Sequence, residues 1–219
     1  MFDAVIVLSG GMDSTVLLAH ELSLGTRPAA LSFDYGSKHN DRELPLAAET
    51  CARYGVGHRI VRLPFMNELF SSSLLKSGET IPDGAYDADN MKSTVVPFRN
   101  GILIAIAVGY AESIGASRVL IGSHSGDHHI YPDCRPDFNA AMNDAALRGT
   151  DGKVQVAFPF ADRDKRAIGD LGRSLDVDFA RTWTCYKGGE THCGTCGACD
   201  ERKYALRRDA GLDPTRYLK

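Results

Sequence analysis

The chain has 219 residues, of which 43% are hydrophobic and 24% charged, and a net charge of −3. That length suits one domain or one domain with a small appendage, and the slight acidity weighs against a protein built mainly to coat nucleic acid. The apolar segment after Met1-Phe2-Asp3 is too short and lacks the cationic flank of a signal peptide, and the longest apolar stretch, near residues 102–108, is too short to span a bilayer; a cytoplasmic protein with no membrane partner is expected.

Residues 4–8 (Ala-Val-Ile-Val-Leu) predict a buried strand, and residues 14–22 predict a helix. Residues 28–34 predict a second strand, followed by a helix over about 41–54 that Gly55 and Gly57 end. A third strand is expected over 59–63, then a Gly-, Pro-, Asp- and Ser-containing surface loop with helical fragments over 71–93. Residues 101–109 with their flanks predict a buried helix, 118–122 a fourth strand, 136–147 a helix, 154–158 a fifth strand and 165–175 a helix; a last helix is expected over 200–209. Strands alternating with helices indicate a parallel sheet covered on both faces, in which ligands gather at the carboxyl ends of the strands. Residues 9–14, 34–39, 123–127 and the segment after Phe160 all fall there.

The turn Ser9-Gly10-Gly11-Met12-Asp13-Ser14 joins the first strand to the first helix. Glycines and hydroxyls at a helix N-terminus form an anion site, because free backbone N–H groups and the helix dipole both favour negative charge. A simple helix cap needs only one Ser or Asp. The Lys of a Walker loop and the G-x-G-x-x-G fingerprint are both absent. The remaining pattern, Ser-Gly-Gly-x-Asp-Ser, resembles the signature of the PP-loop ATP pyrophosphatases. That resemblance implies cleavage of ATP between its α and β phosphates and transfer of AMP to an acceptor oxygen. It assigns ATP to Leu8, Ser9, Gly10, Gly11, Met12, Asp13, Ser14 and Thr15, with Phe33 and Tyr35 near the adenosine. Ser9 and Ser14 would hold the departing pyrophosphate. Asp13 would repel polyphosphate unless Mg²⁺ lies between, and its other reading is a helix N-cap. PP-loop enzymes also place a lysine against phosphate at the position of Lys165.

Cys185, Cys193, Cys196 and Cys199 form C-x7-C-x2-C-x2-C. Four thiolates at this spacing suit tetrahedral Zn²⁺ in a structural site, with two disulfides and an iron–sulfur cluster as the other readings. His192 is expected to be a neighbour of the cluster.

Two further motifs are Val96-Pro97-Phe98-Arg99-Asn100, at the start of the apolar helix, and Tyr131-Pro132-Asp133-Cys134-Arg135-Pro136 after the fourth strand. Together with the phosphate loop and the four-cysteine tail they resemble the QueC family of 7-cyano-7-deazaguanine synthases, from about Val5 to Cys199. The resemblance implies an α/β, Rossmann-like fold of the adenine nucleotide alpha hydrolase kind, with a five-stranded parallel sheet, helices on both faces and a C-terminal zinc-binding segment. Residues 1–180 would be the ATP-binding domain and 181–219 the zinc segment. The implied activity is AMP-forming ligation: 7-carboxy-7-deazaguanine, ATP and ammonia give an amide through an acyl adenylate, and a second ATP gives the nitrile used in queuosine biosynthesis. Arg99 or Arg135 would clamp the substrate carboxylate or an α-phosphate, since guanidinium forks match both. Asp133 or Asp127 would accept N–H groups of the deazaguanine, with Asn100 and Tyr131 beside them, and Cys134 is expected to be a packed wall residue.

Ser37 stands where the family usually has Gln, and residues 122–129 carry three histidines, read as a pocket wall or as a second metal or acid–base site. These departures leave room for a relative that stops at the amide or passes the acyl group to a macromolecular amine such as a protein's. A zinc-bearing nucleic-acid module, suggested by the basic stretch 201–208, is weighed down by the acidic total charge. A homodimer is expected from the resemblance, with the loop 71–93 as a candidate interface.

Overall fold

Side chains alternate across strand β1 (Ala4–Val7) and so divide between two apolar layers. Val5 joins the layer built from α4 (Arg99–Ile114) and α5 (Pro136–Gly149). Ala4 and Ile6 join the layer built from α1 (Met12–Ser23), α2 (Asn40–Tyr54), α6 (Lys165–Ser174) and α7 (Gly197–Leu206). The computed structural model describes residues 2–85, 89–207 and 213–219. Within them β1, β2 (Pro28–Asp34), β3 (Gly57–Arg62), β4 (Arg118–Leu120) and β5 (Gln155–Ala157) form one parallel sheet in the order β3-β2-β1-β4-β5.

That order explains the two layers. The chain travels from β1 outward to β3, then returns across the sheet to β4 and on to β5. Right-handed crossovers place helices on opposite faces when the direction of travel reverses. Hence α1 and α2 lie on one face, and α4 and α5 on the other. β1 and β4 pair in register, Ala4 opposite Arg118 and Ile6 opposite Leu120, and the crevice at their carboxyl ends is the switch point where ligands bind in such sheets.

The strand over 28–34 is found at those bounds, its Ala, Leu and Phe residues forming a central strand buried on both faces. Gly55 ends α2 in the left-handed region, φ 66°, as a helix C-cap does. β3 begins earlier than expected, and α3 (Pro64–Leu69) follows it with Pro at its first turn, a helix too short for its periodicity to show in sequence. Part of the expected loop 71–93 is pinned: Lys38 donates to the carbonyls of Ser73 and Gly78, at 2.6 and 3.0 Å. Residues 86–88 of that loop, and residues 208–209 of the last expected helix, lie outside the described residues.

The stretch Met91–Ile114 matches a membrane span by length and composition alone. In the fold it is broken at Pro97 and at Phe98, φ 51°, and α4 packs on β1 and β4 as a core helix.

The tail is anchored from within. The Trp183 N–H donates to the Gly10 carbonyl at 3.0 Å, so the chain returns beside the phosphate loop. Arg202, 0% exposed, donates to the Thr182 and Thr184 hydroxyls at 2.9 Å each, to the Thr215 hydroxyl at 2.7 Å and to the Phe179 carbonyl at 2.6 Å. Burial lowers its proton affinity, and these acceptors compensate the lost hydration. Arg202→Leu should therefore reduce unfolding free energy by about 3 kcal/mol, because it strands several buried acceptors. Urea denaturation checks this, and a loss below about 0.5 kcal/mol would show that the tail is held by other contacts.

Candidate active site

A cavity of ≈ 220 Å³ opens at the switch point. Its floor is the turn after β1, with Leu8, Ser9, Gly11, Met12, Asp13 and Ser14. Phe33 and Tyr35 come from the end of β2, Ser123 and Asp127 from the segment after β4, and Arg99 and Asn100 from the first turn of α4. Lys165 enters from α6, and Trp183, Thr184, Tyr186, Ala198 and Glu201 come from the tail.

The turn is closed by its own hydroxyls. Ser9 Oγ accepts the Gly11 N–H at 3.0 Å, Ser14 Oγ accepts the Ser9 N–H at 3.1 Å, and the two hydroxyls lie 3.1 Å apart. Gly10 has φ 94°, and a Cβ there would stand 2.2 Å from the Glu43 carbonyl oxygen, so only glycine fits between the loop and α2. α1 receives no side-chain cap from its N-cap residue, Gly11. Its N–H groups and its dipole face the cavity, as an anion site requires. Gly10 and Thr15 do not line the cavity. Gly10 shapes the turn, and Thr15, one residue past the loop, is turned by the helix toward Thr50 and Arg53 of α2.

Lys165 is buried among carboxylates. Its Nζ lies 2.6 Å from Asp13 Oδ2 and 3.1 Å from Glu201 Oε2. Burial opposes its charge, but Asp13 and Glu201 outweigh burial and hold its pKa above the ordinary lysine range. Asp13 Oδ1 is buried and has no hydrogen-bond partner among the described residues, the state of an oxygen suited to a cation. Glu201 is a site residue that motif reading missed. Burial raises its pKa, against the pull of Lys165 and His124. Its only sequence signal is its place two residues after the last cysteine.

Arg99 contacts the Tyr35 hydroxyl at 3.4 Å, and its guanidinium lies 6.0 and 5.8 Å from the Tyr35 and Tyr131 ring centroids. No carboxylate pairs with it among the described residues, which leaves a cation available in the cavity wall. Asn100 and Asp133 are joined otherwise than expected. Asp133 Oδ2 accepts the Asn100 N–H at 2.8 Å and so caps α4, while Asn100 Nδ2 donates to the Asp133 carbonyl at 3.0 Å. Arg135 is exposed and donates to the His128 carbonyl at 3.1 Å. Neither Asp133 nor Arg135 lines the cavity; Asp127, Tyr131 and Arg99 do. Cys134 is a wall residue, and burial pushes its thiol pKa up, away from nucleophilic character.

The three histidines after β4 do not converge on a metal geometry. His124 is held by its own turn: Nδ1 accepts the Gly126 N–H at 3.1 Å, and Asp127 Oδ2 accepts the His124 N–H at 3.1 Å. Its Nε2 faces Lys165 Nζ at 3.2 Å. On α2, Glu43 lines the cavity with His39 Nε2 at 3.5 Å from its Oε2. Burial raises the Glu43 carboxyl to about 8, with Arg99 opposing and Asp13 reinforcing. Burial, with help from Arg99, lowers His39 to about 4. Glu43 was also invisible to motif reading.

The sulfurs of Cys185, Cys193, Cys196 and Cys199 all lie within 4.8 Å of one another, and no disulfide joins them. One tetrahedral ion with metal–sulfur bonds of about 2.3 Å holds sulfurs about 3.8 Å apart, so the donor set fits a single thiophilic metal. The backbone N–H groups of Thr195 and Cys196 point at Cys193 Sγ, at 3.4 and 3.3 Å, the support a thiolate needs. His192 stays outside the group, stacked at 4.2 Å on Trp183 and accepting the Thr184 N–H at 3.2 Å.

Residues 3–210 match the family described as Queuosine biosynthesis protein QueC. The chain is 67% identical over 218 residues to the 7-cyano-7-deazaguanine synthase of Desulfotalea psychrophila, with 100% of each chain covered. It is 53% identical over 216 residues to the enzyme of that name from Porphyromonas gingivalis, covering 98% of this chain and 97% of the other. Among solved structures, NMN synthetase from Francisella tularensis aligns with a TM-score of 0.54 at 14% identity, covering 99% of this chain and 89% of that one, a likeness of fold.

Glu43 on α2 and His39 at its N-cap contribute with opposite sign to the pH dependence of stability. Glu43 binds its proton more tightly folded than unfolded, so its contribution is complete below 4.5 and is lost as pH rises through about 8. His39 acts with the opposite sign: its contribution is complete above 6.5 and is lost as pH falls through about 4. Urea midpoints across that range should fall on both sides, and Glu43→Gln should remove the alkaline decline alone. An unchanged alkaline limb in that variant would assign it to other groups.

Proposed function

The chain belongs to the QueC family, and on that premise we infer that it is an enzyme of queuosine biosynthesis that makes 7-cyano-7-deazaguanine. The substrates are 7-carboxy-7-deazaguanine, ATP and ammonia. The observation that carries this reading is the meeting, in one cavity, of an anion-binding turn and the unpaired guanidinium of Arg99.

The chemistry follows from the acid. A carboxylate cannot expel oxide, so one of its oxygens must first be joined to the α-phosphorus of ATP, with pyrophosphate leaving. The loop N–H groups and the Ser9 and Ser14 hydroxyls receive the departing pyrophosphate, and Lys165 adds positive charge beside them. Arg99 aligns the carboxylate against the α-phosphate in a fork geometry. Phe33 and Tyr35 form the adenosine wall. Asn100, Tyr131 and Asp127 form the wall for the deazaguanine, while Asp133 and Arg135 serve it indirectly by fixing α4 and the turn at His128. Ammonia then displaces AMP to give the amide. A second ATP adenylates the amide oxygen, and loss of AMP leaves the nitrile. The enzyme is thus an AMP-forming ligase.

Asp13 fits Mg²⁺ through its unpartnered oxygen; the ion would supply neutralising charge to the polyphosphate. The four cysteines fit structural Zn²⁺, all donors being protein thiolates. Residues 1–180 act as the ATP-binding body, and residues 181–219 as a zinc-held segment that closes the cavity with Trp183, Thr184, Tyr186 and Glu201. Unpaired thiolates persist in a reducing compartment, which supports a cytoplasmic enzyme. The exposed Ile60, Phe65 and Leu69 on the β3 edge and α3 support a homodimer, which sedimentation equilibrium would read as twice the chain mass.

Purified chain given 7-carboxy-7-deazaguanine, ATP, Mg²⁺ and ammonium should yield nitrile, AMP and pyrophosphate by mass spectrometry. Amide alone would limit the reaction to its first half, and ADP release would overturn the adenylation scheme. Asp13→Ala should lower AMP release by at least about 100-fold with the fold retained. Cys196→Ser should lose zinc by elemental analysis and melt at a lower temperature; a stable, metal-replete variant would remove Cys196 from the ligand set.

A further inference from the structure

The reading above needs neutral ammonia at the acyl carbon, whereas the abundant species at neutral pH is ammonium, which has no lone pair. A group that takes its proton close to the reaction raises the supply of free base there. Most basic side chains of the cavity are already committed. Asp13 and Glu201 hold Lys165 at 2.6 and 3.1 Å. Asp127 accepts the His124 N–H at 3.1 Å. His124 is occupied at Nδ1 by the Gly126 N–H and faces Lys165 at Nε2. His39 is buried and holds protons weakly.

Glu43 differs. Among the described residues the approach to its carboxylate is the 3.5 Å contact of His39 Nε2, and its side chain is 15% exposed, toward the cavity. Its Oε1 lies beside the phosphate loop, 3.3 Å from where a Cβ on Gly11 would stand. The charged and titratable groups that face it are His39 from the N-cap of its helix, Asp13 from α1 and Arg99 from α4, with Tyr35 and Tyr186 in the same wall.

We propose that Glu43 accepts a proton from ammonium in this cavity, so that neutral ammonia reaches the activated acyl carbon. The inference rests on the functional reading above. An N–H bond breaks and an O–H bond forms on Glu43. The freed nitrogen pair forms the C–N bond, and the C–O bond to AMP breaks with its electrons on the leaving phosphate. The second proton that nitrogen sheds passes to that phosphate or to water, and Glu43 returns its own proton to solvent as product leaves. The surroundings favour this order of events. Arg99 and Lys165 repel a cation approaching the acyl carbon, while the ionised form of Glu43, which Arg99 favours and which predominates above pH about 8, attracts it, and transfer leaves two neutral partners. A carboxyl whose affinity is raised by burial is also a stronger base than an exposed glutamate, which suits an acid as weak as ammonium.

The test compares nitrogen sources in Glu43→Gln. Hydroxylamine, largely unprotonated at neutral pH, needs no base. Ammonium-driven turnover should fall by at least about 100-fold, hydroxylamine-driven turnover should stay within about fivefold, and ATP–pyrophosphate exchange dependent on the deazaguanine acid should be kept. Glu43→Asp, which retains the carboxylate at shorter reach, should show an intermediate loss with ammonium alone, and serves if the Gln variant does not fold. Equal losses with both amines, or loss of the exchange, would overturn the proposal and give Glu43 a role in substrate or ATP binding. Absence of acid-dependent exchange in the unaltered enzyme would instead defeat the functional reading itself.

Discussion

A buried ammonium held between two carboxylates organises this molecule. Lys165 draws Asp13 from α1 and Glu201 from α7 onto one point, so three helices from distant parts of the chain share a charge cluster at the floor of the cavity. Taking these charges out of water is costly, and each is tolerable only while the others are present. Loss of one partner leaves an uncompensated charge under the phosphate loop. The same cluster sets the Lys165 ammonium beside the turn after β1 and leaves Asp13 Oδ1 without a hydrogen-bond partner among the described residues.

The sheet supplies the place for that cluster. Reversal of travel at β1 and β4 puts two loops side by side with no strand connection between them, and the crevice that results needs no special sequence. What the sequence adds is the chemistry of the two rims: glycines and hydroxyls after β1, and a turn after β4 whose His124 and Asp127 lock each other. α4 arrives from the opposite layer and presents Arg99 with its charge unspent, its own first turn having been capped by Asp133.

The tail lines the cavity as well as extending the fold. Cys185 and Cys199 flank the segment's turn, and between and beside them Trp183, Tyr186 and Glu201 face the cavity. Arg202, next to Glu201 on α7, is tied into the opposite side of the segment. A metal at the cysteines would fix α7, which carries both Cys199 and the Glu201 that pairs with Lys165, and so would link the cluster to the floor of the cavity.

The features decided locally were legible in the sequence. The phosphate turn needs two glycines and two hydroxyls at adjacent positions, the metal site needs cysteines at short spacing, and β2 needs an apolar run, all within a few residues. Asp133 and Arg135 look like ligands in sequence because charge beside proline suggests a shaped polar turn; only packing shows that one caps α4 and the other braces a carbonyl. Glu43 and Glu201 are the converse. Each lies on a helix among other polar residues, where a glutamate is ordinarily solvated. Burial raises their proton affinity, against the pull of Arg99 at Glu43 and of Lys165 at Glu201. The desolvation that makes a carboxylate reactive depends on elements brought together from across the chain, so tertiary structure alone could select those two among the chain's acidic residues.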